Sequence, residues 1–216
     1  MAVLVTGTSS GIGKSISELF IAHGHEVIGI DRNDATIQSD LYEHIKWNIT
    51  DYDNTPDIRE PIEILVNNAA TQCENDIEVN LTATIKLTER FGVQPNIKAI
   101  VNIASTSAHN GSEFPEYAAS KGGLLAYTKN VALRVANYGA TCNSISPGGV
   151  ITPLNDHIIN DSNMWNAVME ETLLHQWATA DEIADWVYFI AVVNKSMTGQ
   201  DVIIDNGELT KFNFVW

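Results

Sequence analysis

Cysteine and basic residues are scarce in this chain and long apolar runs are missing, and each absence removes a class of protein. Two cysteines in 216 residues, Cys73 and Cys142, are too few for a disulfide scaffold and form no CxxC metal or redox pair, so free thiols are expected and no metal site. Twelve basic residues against twenty-seven acidic ones give a net charge of -15, which disfavours nucleic acid and anionic membrane surfaces as partners. Apolar runs such as Trp186 to Val193 are too short to span a bilayer. The start Met1, Ala2, Val3, Leu4 lacks a basic segment followed by a cleavable apolar one, so a cytoplasmic location is expected by elimination. Internal repeats, linkers and low-complexity tracts are missing too, so residues 1–216 are expected to form one domain.

What is present is a folded globule's composition, with 44% hydrophobic residues and five tryptophans. Short apolar runs alternate with helical patterns. Val3, Leu4 and Val5 lead into Thr6, Gly7, Thr8, Ser9, Ser10, Gly11, Ile12 and Gly13, and then a helical pattern begins at Ile16, Leu19 and Phe20. Strand, glycine turn and helix in this order let the backbone approach a ligand closely and aim free N–H groups at a phosphate. The hydroxyls of Thr8, Ser9 and Ser10 stand ready to assist, although GxxxGxG spacing also suits a purely structural loop. A second strand, Val27 to Ile30, ends in Asp31, placed to accept from adenosine ribose hydroxyls and to repel a 2′-phosphate. Arg32 is the contrary sign, because a guanidinium pairs with that phosphate.

Further along, the pattern predicts a helix over Ala35 to Glu43 and a strand over Ile45 to Ile49. A fourth strand, Glu63 to Val66, runs into Asn67, Asn68, Ala69 and Ala70, which suits either a ligand-facing strand end or a structural turn. A helix from about Asp76 to Phe91 carries polar Asn80 among apolar neighbours, a residue that packing alone could explain. The strand Ala99 to Ile103 opens into Ser105, and Thr141 to Ile145 opens into Ser146, Pro147, Gly148 and Gly149. Residues 154–176 have a weak pattern of the kind that covers a site, and residues 106–116 are expected to form another pocket wall. A helix over Asp181 to Val193 and a strand over Asp201 to Ile204 complete the alternation.

Two tyrosine–lysine pairs share a spacing of four: Tyr42 with Lys46, and Tyr117 with Lys121. Six tyrosines and eight lysines predict roughly 0.2 such pairs by chance, so spacing alone decides nothing. Tyr42 and Lys46 fall across the expected helix-to-strand boundary and read as surface residues. Tyr117 and Lys121 fall within one expected helix running to about Asn137, on one face, twelve residues after Ser105. A tyrosine beside a fixed cation can exchange a proton near neutral pH.

Taken together these segments resemble the short-chain dehydrogenase/reductase family in its small, single-domain branch. Thr6 to Gly13 is similar to its TGxxxGIG, Asn67 to Ala70 to its NNAG, Ser105 to its serine after a strand, Tyr117 to Lys121 to its YxxxK, and Pro147 to Thr152 to its PGxxxT. The resemblance implies a Rossmann-type α/β fold, a seven-stranded parallel sheet with helices on both faces. It implies a catalytic tetrad of Asn80, Ser105, Tyr117 and Lys121. Tyr117 would exchange a proton with the substrate oxygen, Ser105 would donate to that oxygen, and Asn80 would anchor a water leading to Lys121. A cation about 5 Å from the phenol at an effective dielectric of 20 is worth roughly 3 kcal/mol, about two pKa units.

The resemblance also implies a bound NAD. Its phosphates would lie on Gly7, Ser9, Ser10, Gly11, Ile12 and Gly13, and its adenosine on Asp31, Arg32, Asn48 and Ile49. Asn67 and Ala69 would line it. Tyr117, Lys121, Pro147, Gly148, Val150 and Thr152 would face its nicotinamide end. Asn48 stands where the family commonly has an aspartate, Ala70 replaces a glycine, Asp205 to Gly207 replaces a terminal DGG, and the loop between Ala70 and Asn80 is shorter than usual. The implied activity is hydride exchange between NAD(H) and a small-molecule alcohol or carbonyl, in a homodimer or homotetramer. Two alternatives stand beside it: an NADPH-dependent reductase of 3-oxoacyl thioesters, and a dinucleotide-sensing regulator without chemistry.

Overall fold

The computed structural model describes residues 1–72, 74–112 and 114–211, so the expectation of a free thiol at Cys73 lies outside the described residues, as does Glu113 in the expected pocket wall 106–116. Nine strands occur along the described chain: β1 (Ala2–Thr6), β2 (Glu26–Asp31), β3 (Tyr42–Lys46), β4 (Ile64–Asn67), β5 (Ala99–Ile103), β6 (Thr141–Pro147), β7 (Val150–Ile151), β8 (Ala178–Thr179) and β9 (Asp201–Ile204). Seven of them form one parallel sheet in the order β3-β2-β1-β4-β5-β6-β9, and β7 and β8 make a separate two-stranded ladder. This is the expected Rossmann-type architecture.

Successive strand residues point to opposite faces, and both faces are covered. Leu4, Ile28, Ile30, Leu65 and Ile100 join Leu87, Phe91, Val131 and Val135 in one apolar cluster. Val3, Val5, Val27, Val66 and Val101 join Ile16, Phe20, Val187 and Ile190 in the other. The strands are therefore apolar at nearly every position, and polar chemistry is displaced to their ends. The sheet order reverses between β1 and β4, so the loops leaving them diverge and open a crevice at their carboxyl ends.

The helices follow the expected periods, with differences in winding. Residues 77–92 are continuously helical, but Ile77–Ala83 and Thr88–Gly92 are π-wound around a short α-helical piece. The Pro115–Val135 helix begins with proline at its first turn, where no N–H is needed. The Ala180–Tyr188 helix opens on a capping box of Thr179 and Glu182 and continues π-wound over Phe189–Val193. Residues 154–176 hold two short helices, Asp156–Ile159 and Ser162–Glu171, neither with a buried residue. Among the described residues no helix is long and apolar enough to cross a membrane. Cys142 is a free thiol whose pKa burial pushes up to about 12, so it stays protonated.

Two expectations are corrected. No helix forms over Ala35 to Glu43; the segment is an irregular connection, and β3 begins at Tyr42 and ends at Lys46, earlier than expected. The segment is tied instead to the glycine loop: the Ser9 hydroxyl donates to the Asp34 carbonyl (2.9 Å) and the Thr36 hydroxyl donates to the Ser9 carbonyl (2.9 Å). Such side-chain bonds to backbone compete with helix formation. Tyr42 in turn is a half-buried strand residue and no mere surface group. Its hydroxyl lies 2.8 Å from the Thr8 hydroxyl and 3.0 Å from His44 Nδ1. It reaches there across Gly29, where a Cβ would come within 2.2 Å of the Tyr42 oxygen.

Gly29→Ala should therefore destabilise the fold by about 1–3 kcal/mol, the usual range for overpacking. Adding Tyr42→Ala should cost less than the two single losses combined. Urea denaturation of the four proteins measures this, and strict additivity would show that Tyr42 does not occupy the space over Gly29.

Candidate active site

A cavity of about 670 Å³ occupies the crevice at the carboxyl ends of the strands. Its first wall is the glycine loop. Gly7 adopts φ +76°, and the Gly13 α-carbon sits so close to it that a Cβ on Gly13 would meet the Gly7 carbonyl oxygen at 2.1 Å. This packing folds the loop tightly over the N-terminus of the Gly11–Ala22 helix, whose first residues Gly11 and Ile12 line the cavity. Asn68 braces the turn from β4, donating from Nδ2 to the carbonyls of Thr6 (2.9 Å) and Gly7 (3.2 Å). The Asp31 carboxylate accepts from the N–H groups of Ser9 (2.9 Å) and Asn33 (2.8 Å), which fixes it at the mouth of the loop. A cradle that a single methyl group would fill, with a fixed carboxylate about twenty residues on, fits a dinucleotide.

The opposite wall carries Ser105, Tyr117 and Lys121. Ser105 lies two residues before the Ser107–Asn110 turn, its Oγ accepting from the Ser107 N–H (3.1 Å) while its hydroxyl lies 3.2 Å from Ser107 Oγ. Lys121 Nζ sits 5.6 Å from the centre of the Tyr117 ring and donates to the Ile103 carbonyl (2.8 Å), at the last residue of β5. Lys121 is only 3% exposed. Burial lowers its pKa to about 8, opposed by the negative charge of Asp76.

Of the residues expected at the site, the cavity is lined by Gly7, Ser10, Gly11, Ile12, Asp31, Arg32, Asn48, Ile49 and Ala69 on the dinucleotide side. Ser105, Tyr117, Lys121, Pro147, Gly148, Val150 and Thr152 line the remainder. Ser9, Gly13, Asn67 and Asn80 stand behind this wall. Ser9 spends its hydroxyl on Asp34, and Gly13 works by having no side chain. Asn67 is buried in an amide network, donating from Nδ2 to Thr88 Oγ1 (2.9 Å) and Asn102 Oδ1 (2.8 Å). Its Oδ1 has no hydrogen-bond partner among the described residues. Asn80 clamps the Thr71 backbone, accepting from its N–H (2.8 Å) and donating to its carbonyl (2.9 Å), and also donates to Ser120 Oγ (3.2 Å).

The sequence reading missed several lining residues: Asn68, Thr71, Glu74, Asn75 and Val79 among them. Asn68 had a signal in its position one residue past a strand, where the side-chain alternation turns from the helix layer to the crevice. Leu154 and Asn155, which follow the PGxxxT segment directly and open the expected pocket wall 154–176, do line the cavity.

A family model described as "Enoyl-(Acyl carrier protein) reductase" matches residues 7–208. The short chain dehydrogenase adrF of Penicillium roqueforti is 30% identical over 247 residues, covering 95% of this chain and 96% of its own. The 3-oxoacyl-[acyl-carrier-protein] reductase FabG of Salmonella typhimurium is 30% identical over 234 residues, covering 94% and 95%. Among solved structures, a 4-hydroxyisoleucine dehydrogenase mutant complexed with NADH and succinate superposes with a TM-score of 0.88 at 24% identity, covering 99% of this chain and 100% of the other. ElxO with NADP bound gives 0.82 at 21% identity, covering 97% and 99%.

The buried lysine makes stability depend on pH in a stated direction. Unfolded, Lys121 titrates near the ordinary 10.5; folded, near 8. Below pH 8 both states hold the proton and the fold bears the cost of burying it. Between 8 and 10.5 only the unfolded state holds it, so stability rises with pH, by about 3 kcal/mol over the full interval. Denaturation from pH 7 to 10.5 should therefore show the stability advantage of Lys121→Met over the wild type shrinking by about that amount. A pH-independent difference would contradict a buried ammonium.

Proposed function

The chain belongs to the short-chain dehydrogenase/reductase family and is an oxidoreductase interconverting an alcohol and a carbonyl, and from that premise we propose that Tyr117, Ser105 and Lys121 carry the proton-transfer half of a hydride exchange with NAD(H). The observation that carries this reading is the convergence of all three on the wall of one cavity whose other wall is the glycine loop. The dinucleotide, when bound, supplies or accepts the hydride. Tyr117 gives its phenolic proton to the carbonyl oxygen in reduction and takes it back in oxidation. Ser105 donates to the same oxygen as negative charge gathers there. Lys121, held by the Ile103 carbonyl, keeps two N–H protons for the cavity side and favours the phenolate electrostatically.

Asn80 supports this arrangement from behind. Its amide is committed to Thr71 and Ser120, so its side chain fixes the 71–76 loop against the Tyr117 helix, and a water path to Lys121 would have to use another atom. Residues 154–176, exposed and without a buried residue in either short helix, form the covering segment over the substrate end.

NAD is favoured over NADP by Asp31, whose carboxylate is pinned at the ribose end by two backbone N–H groups and cannot swing away from a 2′-phosphate without breaking both. Likeness to 3-oxoacyl-[acyl-carrier-protein] reductase FabG over nearly the whole chain favours a second reading, reduction of 3-oxoacyl thioesters. The exposed Trp186, Phe189 and Val193 on one helix support a homodimer or homotetramer.

Tyr117→Phe should lower kcat by a factor of about 10²–10⁴ or more while NADH binding, followed by fluorescence titration, changes only a few-fold. Surviving turnover would remove Tyr117 from the proton-transfer role. Titration with both reduced dinucleotides should give tighter binding of NADH, and Asp31→Ala should narrow the gap; tighter NADPH binding by the wild type would overturn the assignment of Asp31.

A further inference from the structure

The edge strand β3 turns Tyr42, His44 and Lys46 to one face, and opposite them on β2 stand Val27, Gly29 and Asp31. None of the three β3 residues lines the cavity, whereas Asp31, Arg32 and Asn33 do. Hydrogen bonds connect the two groups. His44 Nε2 lies 2.9 Å from the Asn33 carbonyl oxygen, and the N–H of the same Asn33 donates to Asp31 Oδ1 (2.8 Å). On the other side of the ring, His44 Nδ1 lies 3.0 Å from the Tyr42 hydroxyl, which lies 2.8 Å from the Thr8 hydroxyl. Thr8 is buried in the glycine loop, and the next N–H along, that of Ser9, donates to Asp31 Oδ2 (2.9 Å). Both N–H groups that hold the carboxylate thus belong to segments tied to one imidazole, by one bond on the Asn33 side and two on the Thr8 side.

The partners decide where the protons sit. A carbonyl only accepts, so Nε2 carries the hydrogen and donates to Asn33, which leaves Nδ1 of the neutral ring bare. Nδ1 then accepts from the Tyr42 hydroxyl, and the Thr8 hydroxyl donates to the Tyr42 oxygen. Burial raises the pKa of Tyr42, so its hydroxyl keeps the proton that this order needs. Next to Asn33, Asp34 is held by other groups: Lys46 Nζ donates to its Oδ1 (2.7 Å) and the Ser9 hydroxyl to its carbonyl (2.9 Å). Those bonds fix the residue after Asn33, and His44 fixes Asn33 itself.

We propose that His44 is a positioning residue for cofactor selection: it fixes the Asn33 peptide, and through it the Asp31 carboxylate, in the orientation that favours a free adenosine ribose over one bearing a 2′-phosphate. The proposal rests on the reading of the cavity as a dinucleotide site with Asp31 at its ribose. His44 does not line the cavity, so its effect passes through Asn33 and Asp31.

The experiment is a fluorescence titration of NADH and NADPH binding to the wild type, His44→Leu, His44→Gln, Asp31→Ala and the double variant His44→Leu/Asp31→Ala, and the quantity read is the ratio of the two Kd values. His44→Leu removes both ring bonds and should narrow the preference for NADH about three- to tenfold, the worth of one ordinary hydrogen bond. His44→Gln restores an N–H for the Asn33 carbonyl and should keep the ratio close to that of the wild type. In the Asp31→Ala background His44→Leu should leave the ratio unchanged, because the path through the carboxylate is gone. A ratio unmoved in folded His44→Leu, or moved equally with and without Asp31, would overturn the proposal, since a purely structural strand residue weakens both dinucleotides alike. Should His44→Leu fail to fold, 15N NMR of the wild-type His44 ring at alkaline pH decides, with its signals identified by their loss in His44→Gln: hydrogen on Nε2 supports the proposal, and hydrogen on Nδ1 refutes it. A wild type that prefers NADPH would sink the reading of Asp31 and the proposal with it, whereas a preference for NADH that ignores His44→Leu sinks the proposal alone.

Discussion

Covering both faces of a parallel sheet is the constraint on which the rest of this structure depends. Helices bury Val3, Val5, Leu4, Ile28 and their neighbours from either side, so a strand has no room for a functional side chain along its length. Asn102 within the sheet is paired into the packing, donating to Thr128 Oγ1 (2.8 Å) while accepting from Asn67. Chemistry is left to the loops beyond the strands, and the reversal of strand order between β1 and β4 decides where those loops part. Gly7, Asp31, Asn68, Ser105 and Pro147 share one cavity because each follows or ends a strand of the same parallel set.

The cost of that arrangement is concentrated at Lys121. Its ammonium is held at the end of β5 by a single carbonyl, deep enough for burial to lower its pKa to about 8. A lysine in solution is far more firmly charged, so the site holds its cation in a condition that a small change of local charge can tip. Such sensitivity is unwanted in a scaffold and useful beside a phenol that, on the proposed reading, both gives and takes a proton near neutral pH. The neighbouring hydrogen bonds of Thr71, Asn80 and Ser120 run to the carbonyl of Tyr117 and tie the helix that bears it to the loop before Asn80.

The fold was legible in the sequence because apolar strands, glycine turns and amphipathic helices alternate without interruption, and the strands Ala99–Ile103 and Asp201–Ile204 fall where they were expected. What failed was local competition. A spacing of four satisfies both a helix of period 3.6 and a strand of period 2, so Tyr42 and Lys46 share a face on β3, while the helix expected over Ala35 to Glu43 gave way to bonds between Ser9, Asp34 and Thr36. Asn67 and Asn68 are chemically identical, and only the alternation at the end of β4 sends one into the amide network and the other to the glycine loop. The π winding around Asn80 has no composition signature, and so its inward turn toward Thr71 and Ser120 was beyond reading.

A chain with a net charge of -15 that accommodates a polyanionic dinucleotide poses an apparent conflict, and the geometry resolves it. On the proposed reading the glycine loop meets phosphate with backbone N–H groups and the positive end of a helix dipole, neither of which enters a count of charged residues. Screening over about 8 Å at physiological salt separates this pocket from most surface carboxylates. Asp31, one of the carboxylates that line the cavity, is occupied by the N–H groups of Ser9 and Asn33, which hold it at the mouth of the glycine loop. Global charge therefore bears on which macromolecules the surface repels, while the orientation of a few peptide groups determines what the crevice can hold.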